Sequence, residues 1–179
     1  IGVDNPVSIS VPGVPAEKVY PSLAGPGTIV PAGAKGQYIV RVTTPGKVMV
    51  NVSAKVGETQ KSMGGMEFRV KNVPDPVAKV ANKTEGKISK SMLLAANAVV
   101  AKLENFDFDL KFSVVSFSMS VAVGNAIFTK ESRSAYFTPE MINSINGLNR
   151  GQAVYFESIK AKGPDGTIRN LNPIVFKIE

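Results

Sequence analysis

The sequence contains no cysteine, no histidine and no tryptophan. Without cysteine there is no disulfide, no thiolate nucleophile and no Cys-ligated zinc site. Without histidine, the commonest general base and the commonest imidazole metal ligand are missing too. These absences leave few hydrolytic mechanisms possible. They do not decide the redox compartment, because a chain without cysteine suits both the cytosol and an exported protein.

Long apolar runs are also missing. Charged residues interrupt every apolar stretch before it reaches the roughly 20 residues that a transmembrane helix needs. The chain opens with Ile1 rather than Met, and no basic segment followed by an apolar one marks a signal peptide. We therefore expect a piece of a longer protein, whose targeting or anchoring segment would lie upstream of residue 1.

Basic residues exceed acidic ones by 21 to 14, which gives a net charge of +7. The excess is spread along the chain, since residues 1–76 carry 8 basic and 5 acidic residues and residues 77–179 carry 13 and 9. The basic residues form no dense arginine stripe and are not interleaved with aromatic residues that could stack on bases. This distribution argues against a nucleic-acid partner.

What is present is the pattern of a mainly β protein. Proline and glycine mark turns at short intervals through the first 46 residues, and short alternating runs lie between them. The clearest run is Lys47 to Val56, in which every second residue is apolar, as in a half-buried strand. A turn at Gly57-Glu58 and a bulge at Gly64-Gly65 are predicted next, followed by a strand from about Met66 to Val73.

The segment Val73-Pro74-Asp75-Pro76 is the predicted domain boundary, because two prolines favour extended backbone and end a strand ladder. The length of 179 residues also suits two domains. We predict two tandem β-sandwich domains with an immunoglobulin-like layout, residues 1–76 and residues 77–179. The second should carry one or two short helices, with Ser89 and Thr138 as N-caps, and end in a hairpin that turns at Gly163 to Gly166.

Residues Asn105 to Phe112 alternate between apolar and polar side chains, which predicts a strand. The alternation changes phase near Ser113-Val114, as a β-bulge would cause. Asp107 and Asp109 share the polar face and so meet the first requirement of a paired-carboxylate site. The solvated side of a half-buried strand explains the two aspartates better, because strand alternation alone accounts for them.

Four lysines form the candidate partner-binding surface, either as a positive edge for an acidic partner or as a solvated linker. Ser89-Lys90-Ser91 contains the letters of a serine-lysine arrangement, but nothing in the sequence places these residues in a pocket. We predict no catalytic, cofactor-binding or metal-binding residues. The four lysines are Lys79, Lys83, Lys87 and Lys90.

Several segments resemble, in order, the late periplasmic domains of the gliding-motility and Por-secretion M proteins, the GldM/PorM family. The resemblance covers nearly the whole chain and implies a mainly β fold. Its matching segments are residues 1–14 (IGVDNPVSISVPGV), 68–76 (FRVKNVPDP), 103–110 (LENFDFDL), 163–166 (GPDG) and 171–174 (LNPI).

The resemblance implies the C-terminal part of an inner-membrane-anchored protein of the type IX secretion system. In that family an N-terminal membrane helix joins a membrane partner in a proton-driven motor. The periplasmic part is a dimeric shaft that ends against ring proteins associated with the outer membrane. On this interpretation the chain is a non-catalytic homodimeric scaffold without a small-molecule substrate, and domains joined by short proline linkers suit force transmission.

Two other classes of function are alternatives. An extracellular adhesion or carbohydrate-binding module would need exposed aromatic residues, and the chain offers only four tyrosines and no tryptophan. An enzyme would depend on Asp107 and Asp109. The tyrosines are Tyr20, Tyr38, Tyr136 and Tyr155.

Overall fold

The computed structural model describes residues 1–104, 106, 110–124 and 126–179. It divides into two compact units, Ile1–Val73 and Pro74–Glu179, each built mainly from strands. The division falls within the segment predicted as the linker. The predicted fold class, mainly β with tandem domains, is confirmed.

The first unit folds as two antiparallel three-stranded sheets. One has the order β1-β4-β3 and the other β2-β5-β6. Between them lies a small core of Val40, Val42, Val48 and Val70. The strands are β1 (Asn5–Ser8), β2 (Val19–Ala24), β3 (Gly27–Pro31), β4 (Gln37–Val42), β5 (Gly46–Val56) and β6 (Thr59–Val70).

The hairpin β5-β6 contains both features predicted for it. Gly57 has a φ of +62°, which the first position of a two-residue hairpin turn favours. The bulge is found next to Gly64, where Val52 pairs with Gly64 but Ser53 pairs with Ser62, so that one residue is left over. The strand begins and ends earlier than the predicted range from Met66 to Val73.

The second unit is built around one large sheet with the strand order β11-β10-β12-β14-β8, to which β13 adds beside β12. The pairing of β8 with β14 is parallel and the other pairings are antiparallel, while β7 and β9 form a separate pair. The elements are β7 (Val77–Lys79), β8 (Glu85–Ile88), α1 (Lys90–Ala96), β9 (Val100–Lys102), β10 (Ser113–Val123), β11 (Ala126–Ser132), α2 (Pro139–Asn146), β12 (Ala153–Lys162), β13 (Ile168–Asn170) and β14 (Ile174–Ile178).

The core of the second unit centres on four phenylalanines. Phe156 is fully buried, and its ring centroid lies 6.0 Å from that of Phe117, 5.4 Å from that of Phe137 and 6.4 Å from that of Phe176. Side chains of α1, α2 and β7 belong to the same buried cluster, and Ala101 of β9 packs against it. This face of the large sheet is therefore covered.

Both helices begin at the predicted caps. The Ser89 hydroxyl accepts a hydrogen bond from the Met92 amide, and the Thr138 hydroxyl accepts one from the Met141 amide, just before Pro139. In the part of the chain that the structure describes, neither helix is long and apolar enough to cross a membrane.

Three predictions for this unit need correction. The stretch from Lys79 to Lys90 is not a solvated linker: it contains β8 and the fully buried Val80 and Ile88. The last arm of the terminal hairpin is two strands rather than one, because Pro173 has no N–H to donate between β13 and β14. One prediction in this region needs no correction: the bulge near Ser113-Val114 is present, and a second bulge follows it.

The third correction concerns the strand predicted from Asn105 to Phe112. Phe106 and residues 110–112 are not part of a strand. Phe112 is buried, and its ring lies against the guanidinium group of Arg169. Its apolar side chain therefore packs in a loop rather than in a strand. Asp107 and Asp109 lie outside the described residues.

Candidate functional site

Arg169 ties the start of the second unit to the turn of its terminal hairpin. Its guanidinium group donates to the Asp165 carboxylate at 2.7 Å, to the Pro74 carbonyl oxygen at 2.8 Å and to the Asp75 carboxylate at 3.2 Å. It also lies 5.1 Å from the centroid of the Phe112 ring, a cation–π arrangement. We call these five residues the linker clamp.

The turn sequence explains how the clamp is built. The Asp165 carboxylate accepts hydrogen bonds from the amide and the hydroxyl of Thr167, which fixes it toward β13. Gly163 is required because a Cβ there would lie 2.9 Å from the Phe112 ring and 2.7 Å from the Asp165 carboxylate. Gly166 has a φ of +80° and closes the turn.

The Asp165 carboxyl is ionised at neutral pH. Burial raises its pKa, but the hydrogen bonds from Thr167 and Arg169 and the charge of Arg169 outweigh burial, so that the pKa lies below its ordinary value. The two side chains of this ion pair are only 14% and 15% exposed, whereas that of Asp75 is 75% exposed. The bond to Asp165 therefore carries more of the energy than the bond to Asp75.

The linker clamp restricts how the chain enters the second unit. Pro74 is the first residue of that unit, and the guanidinium group binds its backbone rather than only a mobile side chain. Pro74 and Pro76 have fixed φ angles on either side of Asp75. The segment is thus held at Pro74 by Arg169, and its two prolines restrict rotation of its backbone.

The structure does not present the four predicted lysines as one free surface. The Lys79 amino group pairs with the Glu104 carboxylate at 2.6 Å. The Lys83 amino group donates to the Lys87 carbonyl oxygen at 2.9 Å. The Lys90 amino group donates to the carbonyl oxygen of Asn146 at 3.0 Å, where the C-terminal end of α2 favours a positive charge. Three of the four amino groups are therefore held by the chain itself.

Lys87 differs from the other three lysines. It is exposed on the edge strand β8, and its amino group makes no hydrogen bond or ion pair with the described residues. Parallel pairing places it beside the exposed Lys177 of β14, and Lys83 is bonded to its carbonyl oxygen. We call Lys83, Lys87 and Lys177 the basic edge. Sequence reasoning missed Lys177, because nothing local to either strand indicates the pairing.

The described residues offer no assembled catalytic or metal centre. No group of three or more Asp and Glu side chains among them could hold a metal ion. The Ser89 hydroxyl caps α1 and shares a hydrogen bond with Ser91, while the Lys90 amino group is directed to α2. Ser89 and Lys90 therefore cap α1 and connect it to α2; they do not form a nucleophile and its base.

Comparison with protein families gives two adjacent matches. Residues 1–71 match a model described as the GldM third domain. Residues 74–179 match a model described as the GldM C-terminal domain. A comparison with curated proteins gave no match. The two family matches cover each structural unit in turn and leave only Asn72 and Val73, next to the linker clamp, outside them.

Proposed function

This chain belongs to the GldM family of gliding-motility and type IX secretion proteins, and on that premise we propose a mechanical role for it. It is a non-catalytic, periplasmic, force-transmitting segment of a shaft whose membrane anchor and motor partner lie in an N-terminal part of the protein. The second unit contacts ring proteins associated with the outer membrane. Two copies associate side by side.

The observation that carries this proposal is the linker clamp. A tether between two domains loses displacement when its backbone rotates freely, whereas proline residues and a bonded backbone carbonyl limit such rotation. Arg169 supplies that bond through a mostly buried side chain. The lack of histidine and cysteine agrees with a role that needs no chemistry.

Self-association is proposed for an open side of the first unit. Met66 and Phe68 on β6 pair with Val50 and Val48, so they point to the core face of their sheet. They are nevertheless 63% and 37% exposed and line a groove that Val7 of β1 closes on the other side. Apolar side chains on the inner face of an edge strand suit burial against a second copy.

Replacing Met66 and Phe68 together by serine should convert dimers into monomers. Each side chain contributes about 1.5–3 kcal/mol when buried, so the double variant should weaken association at least about a hundredfold. Light scattering coupled to gel filtration measures this at a concentration where the unaltered chain is dimeric.

The matched control for that experiment is Met49→Ser. Met49 is 40% exposed on the opposite face of the same sheet, opposite Glu67 of β6. It should leave the dimer intact. If the unaltered chain were monomeric at high concentration, or if Met49→Ser lost the dimer as fully as the double variant, this surface would be ruled out as the dimer contact.

Reversing the charge of the basic edge should weaken capture of the ring proteins. In the variant Lys87→Glu with Lys177→Glu, two exposed cations become anions, which repel an acidic partner. We expect at least about tenfold weaker binding in a pull-down, since loss of one charge-assisted contact exceeds about 1.4 kcal/mol.

The control for the basic edge is Lys18→Glu with Lys111→Glu. Both are exposed lysines elsewhere in the chain, and the pair changes the net charge by the same amount. Full capture by the control and reduced capture by the basic-edge variant support the proposal. Equal capture by both would remove the basic edge as the contact with the ring.

A further inference from the structure

The second unit has a polar cleft that none of the roles above uses. It lies where β10, β11 and β12 meet, and it encloses about 720 Å³, open solvent at its mouth included. Its serines alternate along β10 with the buried Phe117 and Met119, so they belong to the face of the large sheet away from the core. We call it the outer-face cleft.

Two cations flank a serine in this cleft. Ser116 of β10 pairs with Lys160 of β12. On the other side Ser118 pairs with Glu131 and Phe117 with Ser132, the last residue of β11, and Arg133 follows that strand directly. Neighbouring strands are about 4.8 Å apart, which puts the two cationic residues about 10 Å apart at their backbones. All of these residues line the cleft.

The cleft presents hydrogen-bonding groups that the chain does not use. Among the described residues, no side chain forms an ion pair or hydrogen bond with Arg133 or Lys160, and both are exposed. The hydroxyls of Ser116 and Ser158 likewise form no hydrogen bond with the described residues, whereas the Ser118 hydroxyl donates to the Glu157 carbonyl oxygen. Donors outnumber acceptors on this surface.

The backbone is strained where it brings Ser158 into the cleft. The pairing of β10 with β12 shifts register twice, between Val114 and Ser116 and between Ser116 and Ser118. Ser158 has a φ of +50°, a left-handed conformation that is unfavourable for a residue with a side chain. Bulges and strained residues are enriched at binding sites, where they redirect a side chain. Here the bulge takes Ser158 out of the regular alternation of β12 and places it in the cleft with Lys160.

The net charge of the cleft matches a ligand group with one negative charge rather than two. Among the lining residues, Arg133 and Lys160 contribute two positive charges and Glu131 one negative charge, which leaves a net +1; the Glu157 carboxylate lies outside this lining and accepts a hydrogen bond from the Ser120 hydroxyl. A guanidinium fork binds a carboxylate through two parallel hydrogen bonds, and a hydroxyl can add a third. We propose that the outer-face cleft binds a carboxylate group of a polypeptide partner. The choice of a protein as its source rests on the proposed function.

The test is a titration of the isotope-labelled 179-residue chain followed by two-dimensional NMR. One probe is a short peptide with a single internal aspartate and blocked ends, and a second is a neutral peptide with a free C-terminal carboxylate. A fully blocked neutral peptide and inorganic phosphate are the comparison ligands. We expect the carboxylate peptides to shift the amide signals of Ser116, Ser158 and Arg133, and the more strongly binding one identifies the source of the carboxylate.

Two variants make the titration decisive. Arg133→Gln and Lys160→Gln should each weaken the carboxylate peptide about tenfold, because each removes one charge-assisted contact. Lys130→Gln, next to Glu131 on β11, changes the net charge equally and should leave binding unchanged. Thermal unfolding should be unchanged in all three, since the replaced side chains are exposed.

Several results would overturn the carboxylate site. These are the absence of shifts, equal shifts with the fully blocked peptide, tighter binding of phosphate, or equal weakening by Lys130→Gln. The titration contains no ring protein, so its failure leaves the mechanical role standing. Equal ring capture by the basic-edge variant and its control would count against that contact with the ring and leave the cleft standing.

Discussion

Replacing Arg169 by alanine should lower the midpoint of thermal unfolding of the second unit by about 10 °C or more. The substitution leaves Asp165 ionised and mostly buried without its cation, and it removes the bond to the Pro74 carbonyl oxygen. Breaking a partly buried pair in this way costs about 2–3 kcal/mol, and a unit of this size shifts by about 4–8 °C per kcal/mol. Calorimetry of the whole chain measures it.

The specificity of this effect is tested by two comparisons. Arg150 is an exposed arginine of the same unit, so Arg150→Ala should change the midpoint by less than about 2 °C. The transition of the first unit should stay in place in both variants, because the clamp residues all belong to the second unit. Equal shifts of the midpoint for Arg150→Ala and Arg169→Ala would show that the linker clamp does not specifically stabilise the second unit.

Phe156→Ala should have the largest effect on stability, about 3–5 kcal/mol. Phe156 is fully buried at the centre of the aromatic cluster, and its removal leaves a cavity between three other rings. Such a loss is comparable to the whole stability of many domains, so the second unit could unfold entirely. Urea denaturation followed by circular dichroism gives the free energy of unfolding.

A conservative variant and a neighbouring residue keep that experiment interpretable. Phe156→Leu retains much of the volume and should cost about 1–2 kcal/mol. Tyr155→Ala changes the next residue of β12, which is 37% exposed on the other face, and should cost less than about 1 kcal/mol. If Tyr155→Ala destabilised the chain as much as Phe156→Ala, the assignment of the two faces of β12 would be wrong.

The parts of the fold predicted correctly depend on chemistry within a few residues. Ser89 and Thr138 were identifiable as caps because a capping hydroxyl bonds an amide three residues later. The bulge near Gly64 leaves a local mark, since paired glycines are visible within a single strand.

The parts that sequence reasoning missed depend on contacts between distant segments. Arg169 meets Pro74 and Lys177 meets Lys87 only because the last strands of the chain return to its middle. Val80 and Ile88 lie between the four lysines for which a solvated linker was one interpretation, and their burial depends on the sheet and helices that cover them. The strain at Ser158 has no signal in its residue type.

The proposed force transmission through this chain requires a junction that does not flex, and a distance measurement tests that requirement directly. The chain has no cysteine, so Lys55→Cys in the first unit and Lys130→Cys in the second provide two unique, exposed sites for spin labels. Pulsed electron paramagnetic resonance then gives the distribution of distances between them. We predict a single narrow distribution that becomes broad when Arg169→Ala is added. A broad distribution in the chain with an intact clamp, or no broadening on loss of Arg169, would contradict the proposal of a stiff, force-bearing segment.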